Sequence, residues 1–448
     1  MSGTDALEVQ VDRWRDYVRR HRAVAPDDVD EMTDHLRERI DDLRAAGLDD
    51  DEAFLVAVKR MGRLDAVSAE FARAHSERLW KQLVLLPDSP APDADPARRE
   101  LAVVVGCAVG AGLAVKAGST FLDETALLLN LGLLVAPFVA AYLGWKRRLA
   151  GRTVAALLAG AVVLGVVLNT YPFDPAGSTL LLAALHAPVV LWAFVGVAYT
   201  GGRWRSPDRR MDFVRFTGEL AVYYVLLALG GGVLVGLTAG LFSLTGLDLE
   251  PAMEQWILPL CVPGAFLVAA WLVEAKQEVV ENIAPVLTRV FTPLTTLMLL
   301  ACLVVLATAG DLTTVDRELL ILMDGVLLLV LALVLYSVSA RDPLRRPGLF
   351  DGLQLGLVVV ALTVDAVALT AMLTRIAEFG ASPNKVAALG LNLLLAVHLA
   401  RSAWLLLGLL RHRRAFGDLE RWQTAYLPVY AAWAAFVVVA FGPSFVFA

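Results

Sequence analysis

Thr125–Trp145 reads TALLLNLGLLVAPFVAAYLGW, without one charged side chain, and is followed at once by Lys146, Arg147, Arg148 and Arg152. About 20 apolar residues in a helix cross the roughly 30 Å hydrocarbon core of a bilayer. Barrel strands are far shorter than this run, and lipid offers no partner for an open strand edge. The stretch therefore predicts a transmembrane helix that ends at a basic loop. Further apolar runs of this kind lie at Leu101–Ala117, Val154–Thr170, Thr179–Thr200, Leu220–Phe242, Trp256–Val273, Phe291–Ala309, Leu319–Val338, Leu353–Leu373, Val386–Leu410 and Ala425–Val446, giving eleven spans in all. The chain of 448 residues is 58% hydrophobic and 19% charged, more apolar and less charged than a soluble protein of this size.

The loops alternate in charge. One set carries Lys146 to Arg152; then Arg203, Arg205, Arg209, Arg210 and Arg215; then Lys276 and Arg289; then Arg341, Arg345 and Arg346; then Arg411, Arg413, Arg414 and Arg421. The intervening set carries Asp123 and Glu124, then Asp174, then Asp248, Glu250 and Glu254, then Asp311, Asp316 and Glu318, broken only by Arg317, Arg375 and Lys385. A missed or invented span would put the next basic loop on the wrong side, so the alternation supports the number of spans. Basic loops stay in the cytoplasm. The expected location is the bacterial inner membrane, with the N-terminus cytoplasmic and the C-terminus extracytoplasmic. The expected fold class is all-α, a polytopic bundle with a small N-terminal cytoplasmic helical domain.

Three parts are expected: a helical domain over residues 1–80, a Pro/Asp-rich linker over 81–99 and the membrane domain over 100–448. The first hundred residues are charged and helical in pattern and do not read as a secretory signal peptide, so the first span is the expected targeting element. In the front domain Leu7, Val11, Trp14 and Val18 recur at helical spacing, as do Val29, Met32, Leu36, Ile40 and Leu43, then Phe54, Ala57 and Met61, then Leu64, Val67, Phe71 and Ala74. Each set is one apolar stripe on a charged helix, and four such helices can bury one core. Gly47 and Gly62 read as helix stops, Pro26-Asp27-Asp28 and Asp49–Glu52 as starts. The run through His35-Leu36-Arg37-Glu38, Ala45-Ala46-Gly47-Leu48, Glu52-Ala53-Phe54, Arg60-Met61-Gly62 and Glu70-Phe71 resembles the permease prefix domain. This is a HAAS-like helical module found ahead of membrane permeases. The resemblance implies a regulatory or interaction role, hence a cytoplasmic protein regulator as partner at residues 6–80, and brings no catalytic residue. The domain holds most of the chain's net negative charge, which fits a solvated helix surface or a docking face for a basic partner and argues against nucleic-acid binding. The prolines at 87, 90, 92 and 96 predict an extended tether.

Four stretches of the membrane domain resemble an uncharacterised bacterial integral-membrane family, domain-of-unknown-function family 4153. They are Leu185-His186-Ala187-Pro188 with Trp192; Arg215-Phe216-Thr217-Gly218-Glu219; Pro285 to Phe291-Thr292-Pro293; and Ser382-Pro383-Asn384-Lys385 with Ala387, Gly390 and Asn392. That resemblance implies a multi-pass protein and no activity.

Ionisable groups inside lipid cost about 2.5–3.5 kcal/mol each on insertion scales, so each needs a partner or a wet cavity. Depth at 1.5 Å per residue sorts them. Glu219 in the fifth span and Arg401 in the tenth lie at one level, which predicts a structural ion pair or a shared polar pocket, although Arg401 can also snorkel. Asp365 and His398 fall near the midplane of consecutive antiparallel helices and read either as packing polars or as a proton or cation relay, with Asp365 as carrier and His398 as its proton partner. Asp324 lies in the outer third of the eighth span, within reach of Lys116 or Asn392. His186 precedes Pro188, which removes a backbone hydrogen bond and predicts a kink.

Gly232, Gly236 and Gly240, like Gly106 and Gly110, have the spacing of tight helix packing, and Gly230-Gly231-Gly232 can also unwind a span. Ser382-Pro383 reads as a helix start. Cys107, Cys261 and Cys302 lie in apolar runs and read as packing residues. No metal-ligand spacing, phosphate loop or cofactor motif is present in the sequence. The leading expectation is a non-enzymatic, permease-like transporter of a small solute or ion, regulated by the front module. A membrane sensor or scaffold that recruits a cytoplasmic regulator is the alternative. A lipid-linked transferase using Asp123-Glu124 is the third.

Overall fold

The structure is a computed structural model that describes residues 7–8, 10–12, 14–15, 26–45, 47–61, 95–244, 249–275, 283–309, 317–341 and 346–447. It divides into two units, Met1–Ala97 and Arg98–Ala448.

In the first unit, helices α1 (Pro26–Ala45) and α2 (Asp50–Met61) form a hairpin. Gly47 closes α1 at φ +96°, a left-handed position suited to glycine, while Gly47 N and Leu48 N donate to the Arg44 and Leu43 carbonyls. Asp49 opens α2 by accepting from Glu52 N at 2.7 Å. Leu7, Val11 and Trp14 pack with Leu36, Ile40, Leu43, Phe54 and Ala57 in one core, the stripes expected from spacing. Arg37 donates to Glu8 at 3.0 Å. That hydrogen bond raises its pKa, burial opposes it, and the charges of Glu8, Asp34 and Asp12 add to the rise. The fourth stripe, Leu64–Ala74, the Gly62 stop and the linker up to residue 94 lie outside the described residues. The expected linker is shorter than 81–99, because helix begins at Asp95. Pro96 falls in its first turn, where no intrahelical N–H bond is lost.

The second unit is all-helical. Its elements are α3 (Asp95–Phe121), α4 (Glu124–Lys146), α5 (Gly151–Thr170), α6 (Ser178–Tyr199), α7 (Pro207–Leu244), α8 (Glu250–Ala275), α9 (Ile283–Ala309), α10 (Arg317–Ser339), α11 (Leu349–Phe379), α12 (Pro383–Leu410), α13 (Phe416–Ala425) and α14 (Leu427–Ser444). Eleven helices among the described residues, with α13 and α14 together as one, are long and apolar enough to cross a membrane. The protein is a multi-pass membrane bundle. Large apolar side chains such as Leu158, Val162, Leu234 and Leu322 are more than half exposed, a surface that suits lipid and not water.

Two central cores organise the unit. One joins α3, α4, α6, α7 and α8 around Tyr142, Phe213, Phe216 and Leu267. The other joins α10, α11 and α12 around Leu327, Val330, Val358, Val364 and Leu399, with Phe416 and Leu419 of α13. The last helix returns to α6 through Val438 and Ala434. Its end is pinned where Asp174 N donates to the Phe447 carbonyl at 3.1 Å and Tyr171, Phe173 and Phe447 stack edge to face.

Three sequence expectations change. α7 begins at Pro207, well before Leu220, because Phe213 and Phe216 continue the Leu220 stripe through a charged turn while Met211 packs on the other face. It runs unbroken through Gly230-Gly231-Gly232, so those glycines do not unwind it. Nor do Gly232, Gly236 and Gly240 pack tightly within the chain: a Cβ on any of them would meet nothing within 4 Å. Gly110 does meet a neighbour, Phe138. The last span, read as Ala425–Val446, is α14, and the separate helix α13 precedes it across a break at Tyr426, with Pro428 in the first turn of α14. Cys107 and Cys302 are half-buried against the two cores, whereas Cys261 is exposed.

Candidate functional site

The second core contains polar side chains at mid-depth. On α11 the buried stripe runs Gln354, Leu357, Val358, Ala361, Val364, Asp365, Ala368 and Met372. Asp365 therefore points inward by helical phase, with Ala361 and Ala368 leaving room a turn to either side. On α12 the buried stripe carries Asn392, Leu395, His398, Leu399 and Ser402. The loop between Phe379 and Pro383 is tight, and Gly380 takes φ +75° in it, so α11 and α12 pack side by side.

Asn392 Nδ2 donates to Asp324 Oδ1 at 2.9 Å and approaches Met372 Sδ at 3.6 Å. Of the two partners that depth suggested for Asp324, Asn392 is the one that reaches it. Lys116 sits over the Trp256 ring at 4.7 Å instead. Asp365 has no exposed surface, and neither of its carboxylate oxygens has a hydrogen-bond partner. It interacts electrostatically with Asp324 and with Tyr430.

His398 is also fully buried. Its Nδ1 shares a hydrogen bond with the Tyr430 hydroxyl at 2.9 Å. Trp422, Tyr426 and Tyr430 surround the ring with centroids at 5.8, 4.8 and 5.7 Å. Ser402 and the Trp422 indole both donate to the His398 carbonyl, and Gln423 Nε2 donates to Ser402 at 2.8 Å. His398 Nε2, Asn392 Oδ1 and Gln423 Oε1 have no partner. Asp365 and His398 thus belong to one core without a direct hydrogen bond. Tyr430, which sequence reading missed along with Gln423, is the group that hydrogen-bonds the imidazole.

Glu219 and Arg401 line different clefts rather than a shared pocket. Glu219 is buried beside a cavity of about 200 Å³ lined by Arg147, Tyr199, Arg209, Asp212 and Arg215. There Arg147 pairs with Glu274 at 2.9 Å, and Arg215 donates twice to the Ser339 carbonyl, at 2.6 and 3.1 Å. Arg401 is exposed, with its guanidinium 4.1 Å from the centroid of Trp404. The signal for the first cleft was present as Arg209, Asp212 and Arg215, three residues apart in succession, but it lay outside the span as read. His186 shares its Nδ1 with the Leu182 carbonyl at 2.8 Å, within α6, and α6 carries Pro188 inside one continuous helix. Ser382 occupies the N-cap position of α12 without a side-chain cap bond. Asp123 caps α4, accepting from Ala126 N at 2.7 Å.

The unpartnered atoms here are oxygens of Asp365, Asn392 and Gln423 and the ring nitrogen Nε2 of His398. Among the described residues, no three His, Cys, Asp or Glu side chains gather as a metal site. The chain matches no family model, no curated protein and no solved structure.

Proposed function

We propose that this protein is a permease-like transporter of a small solute or ion, with Asp365 as the group that takes up a proton or small cation. The supporting observation is the Asp365 carboxyl: wholly buried, with both oxygens unsatisfied. A carboxylate in that state costs several kcal/mol, and a neutral acid without hydrogen bonds still costs roughly 1–3 kcal/mol. A transporter accepts that cost because the missing partner is its cargo. The same core holds the Asp324–Asn392 and Tyr430–His398 hydrogen bonds, whose groups are the candidate neighbours for a proton or cation on Asp365. The front module, through its likeness to a permease prefix domain, is the regulatory part of the reading, and the arginine-rich end is its cytoplasmic face.

The test is flux in proteoliposomes, followed with a pH-sensitive dye and with cation tracers. Wild type should carry a flux that Asp365→Asn abolishes. Equal flux from both proteins removes Asp365 from the mechanism. No flux from wild type under any gradient favours the sensor or scaffold reading, which draws on the complete burial of Asp365, Asn392 and His398. In that case residues 6–80 should capture one cytoplasmic regulator reproducibly.

A further inference from the structure

A second cleft, of about 270 Å³, opens on the arginine-rich end between α12 and α13 and is lined by Arg401, Arg414, Asp418, Arg421 and Trp422. Its geometry follows from a short turn. α12 ends at Leu410, and His412 takes a left-handed conformation at φ +53°, while Arg413 N donates back to the Gly408 carbonyl at 2.8 Å. The turn folds Arg414 onto the last helical turn. Gly408 makes room for it, since a Cβ there would lie 2.6 Å from Arg414 Cγ. Arg401, Trp404 and Gly408 share one stripe of α12 at i, i+3 and i+7. The Arg401 and Arg414 guanidinium carbons therefore both come onto the Trp404 ring, at 4.1 and 4.4 Å from its centroid.

Two like charges are thus gathered on one aromatic ring. Among the described residues no carboxylate pairs with either. Asp418, the acid in the cleft, is held by Arg421 at 2.6 Å. An anion that bonds both guanidinium groups would offset their mutual repulsion. Arg401 lies about 14 Å from the end of α12 at 1.5 Å per residue, below the level of a loop. Trp404 is 44% exposed. An arginine pair beside an exposed tryptophan at that depth matches a phospholipid phosphate at the membrane boundary, where basic pockets between helices take head groups. We propose that this cleft binds the phosphate head group of an anionic membrane lipid, with Arg401 and Arg414 on the phosphate oxygens and Gly408 positioning Arg414.

Full-length protein in mild detergent, loaded with a photoactivatable phosphatidylglycerol, tests this without any mutation. Cross-links should concentrate on peptides spanning Arg401 to Ala425. Cross-links spread evenly around the belt overturn the proposal. Retention of phosphatidylglycerol in native mass spectra should fall at least about tenfold in Arg401→Gln/Arg414→Gln, at roughly 1 kcal/mol per basic residue, while phosphatidylcholine is unchanged. Gly408→Leu, which keeps every charge but displaces Arg414, should lower retention in the same direction. Wild-type retention in the double variant overturns the proposal. So does displacement of the lipid by millimolar inorganic phosphate, which would assign the cleft to the free anion.

Discussion

Asp365 and Asn392 sit in the same core and are expected to respond in opposite ways to loss of their polar atoms. Asp365 has two unsatisfied oxygens in a dry site, so Asp365→Val removes an uncompensated polar group while keeping much of the volume. The apparent unfolding midpoint in detergent should rise, by the equivalent of roughly 1–3 kcal/mol. Asn392→Leu removes the donor to Asp324 and leaves a half-buried carboxyl without that bond. The midpoint should fall by a similar roughly 1–3 kcal/mol. A fall for both variants would mean that Asp365 holds the core together, and the transport reading would lose its support. The Asp324–Asn392 contact was legible in the sequence because depth along two helices is simple arithmetic. The His398–Tyr430 contact was not, because depth says nothing about which face of a neighbouring helix arrives. Gln423 lay outside the last span as read, and the break at Tyr426 shifts the phase of everything after it.

Glycines separate helices that pack from helices that face lipid, and the sequence pattern alone does not tell them apart. Gly232, Gly236 and Gly240 have the spacing of a packing motif, yet none of the most apolar eighteen-residue stretch of α7 is buried. Gly390 has no such spacing, but the Trp433 indole of α14 occupies the place where its side chain would be. Gly390→Val must push α14 away from α12 and should lower stability by roughly 1–3 kcal/mol. Gly236→Val meets nothing and should stay within about 0.5 kcal/mol of wild type. Thermal unfolding of the two variants in one detergent checks the contrast, and a matching loss at Gly236 would place a partner on α7. The eleven spans themselves were readable because apolar length needs no knowledge of neighbours. The early start of α7 was hidden because its first turns mix Arg209, Asp212 and Arg215 with buried Met211, Phe213 and Phe216, the pattern of a soluble amphipathic helix.

The basic loops are far apart in sequence, and the fold brings them to one end of the bundle. Lys146 bonds Glu100 at 2.8 Å and lies 3.6 Å from Glu274, joining the start of α3, the end of α4 and the end of α8. Arg215 near the start of α7 caps Ser339 at the end of α10, and Arg341 pairs with Asp351 at the start of α11 at 2.9 Å. At the other end Asn384 at the start of α12 donates to Ser178 at the start of α6, and Asp174 meets Phe447. The charge alternation read from the loops is therefore also an alternation in space. Its sign argues for the arginine-rich end as the cytoplasmic one, because arginine-rich loops resist export across the membrane. A single cysteine in place of Arg209 or Arg413, on a background with Cys107, Cys261 and Cys302 replaced, should resist a membrane-impermeant maleimide in intact cells and react after permeabilisation. A cysteine in place of Asp174 should react in intact cells. The reverse pattern would turn the whole bundle over, putting the front module and the Arg401 cleft outside. Labelling at all three positions in intact cells would mean that the helices do not thread the bilayer in this order at all.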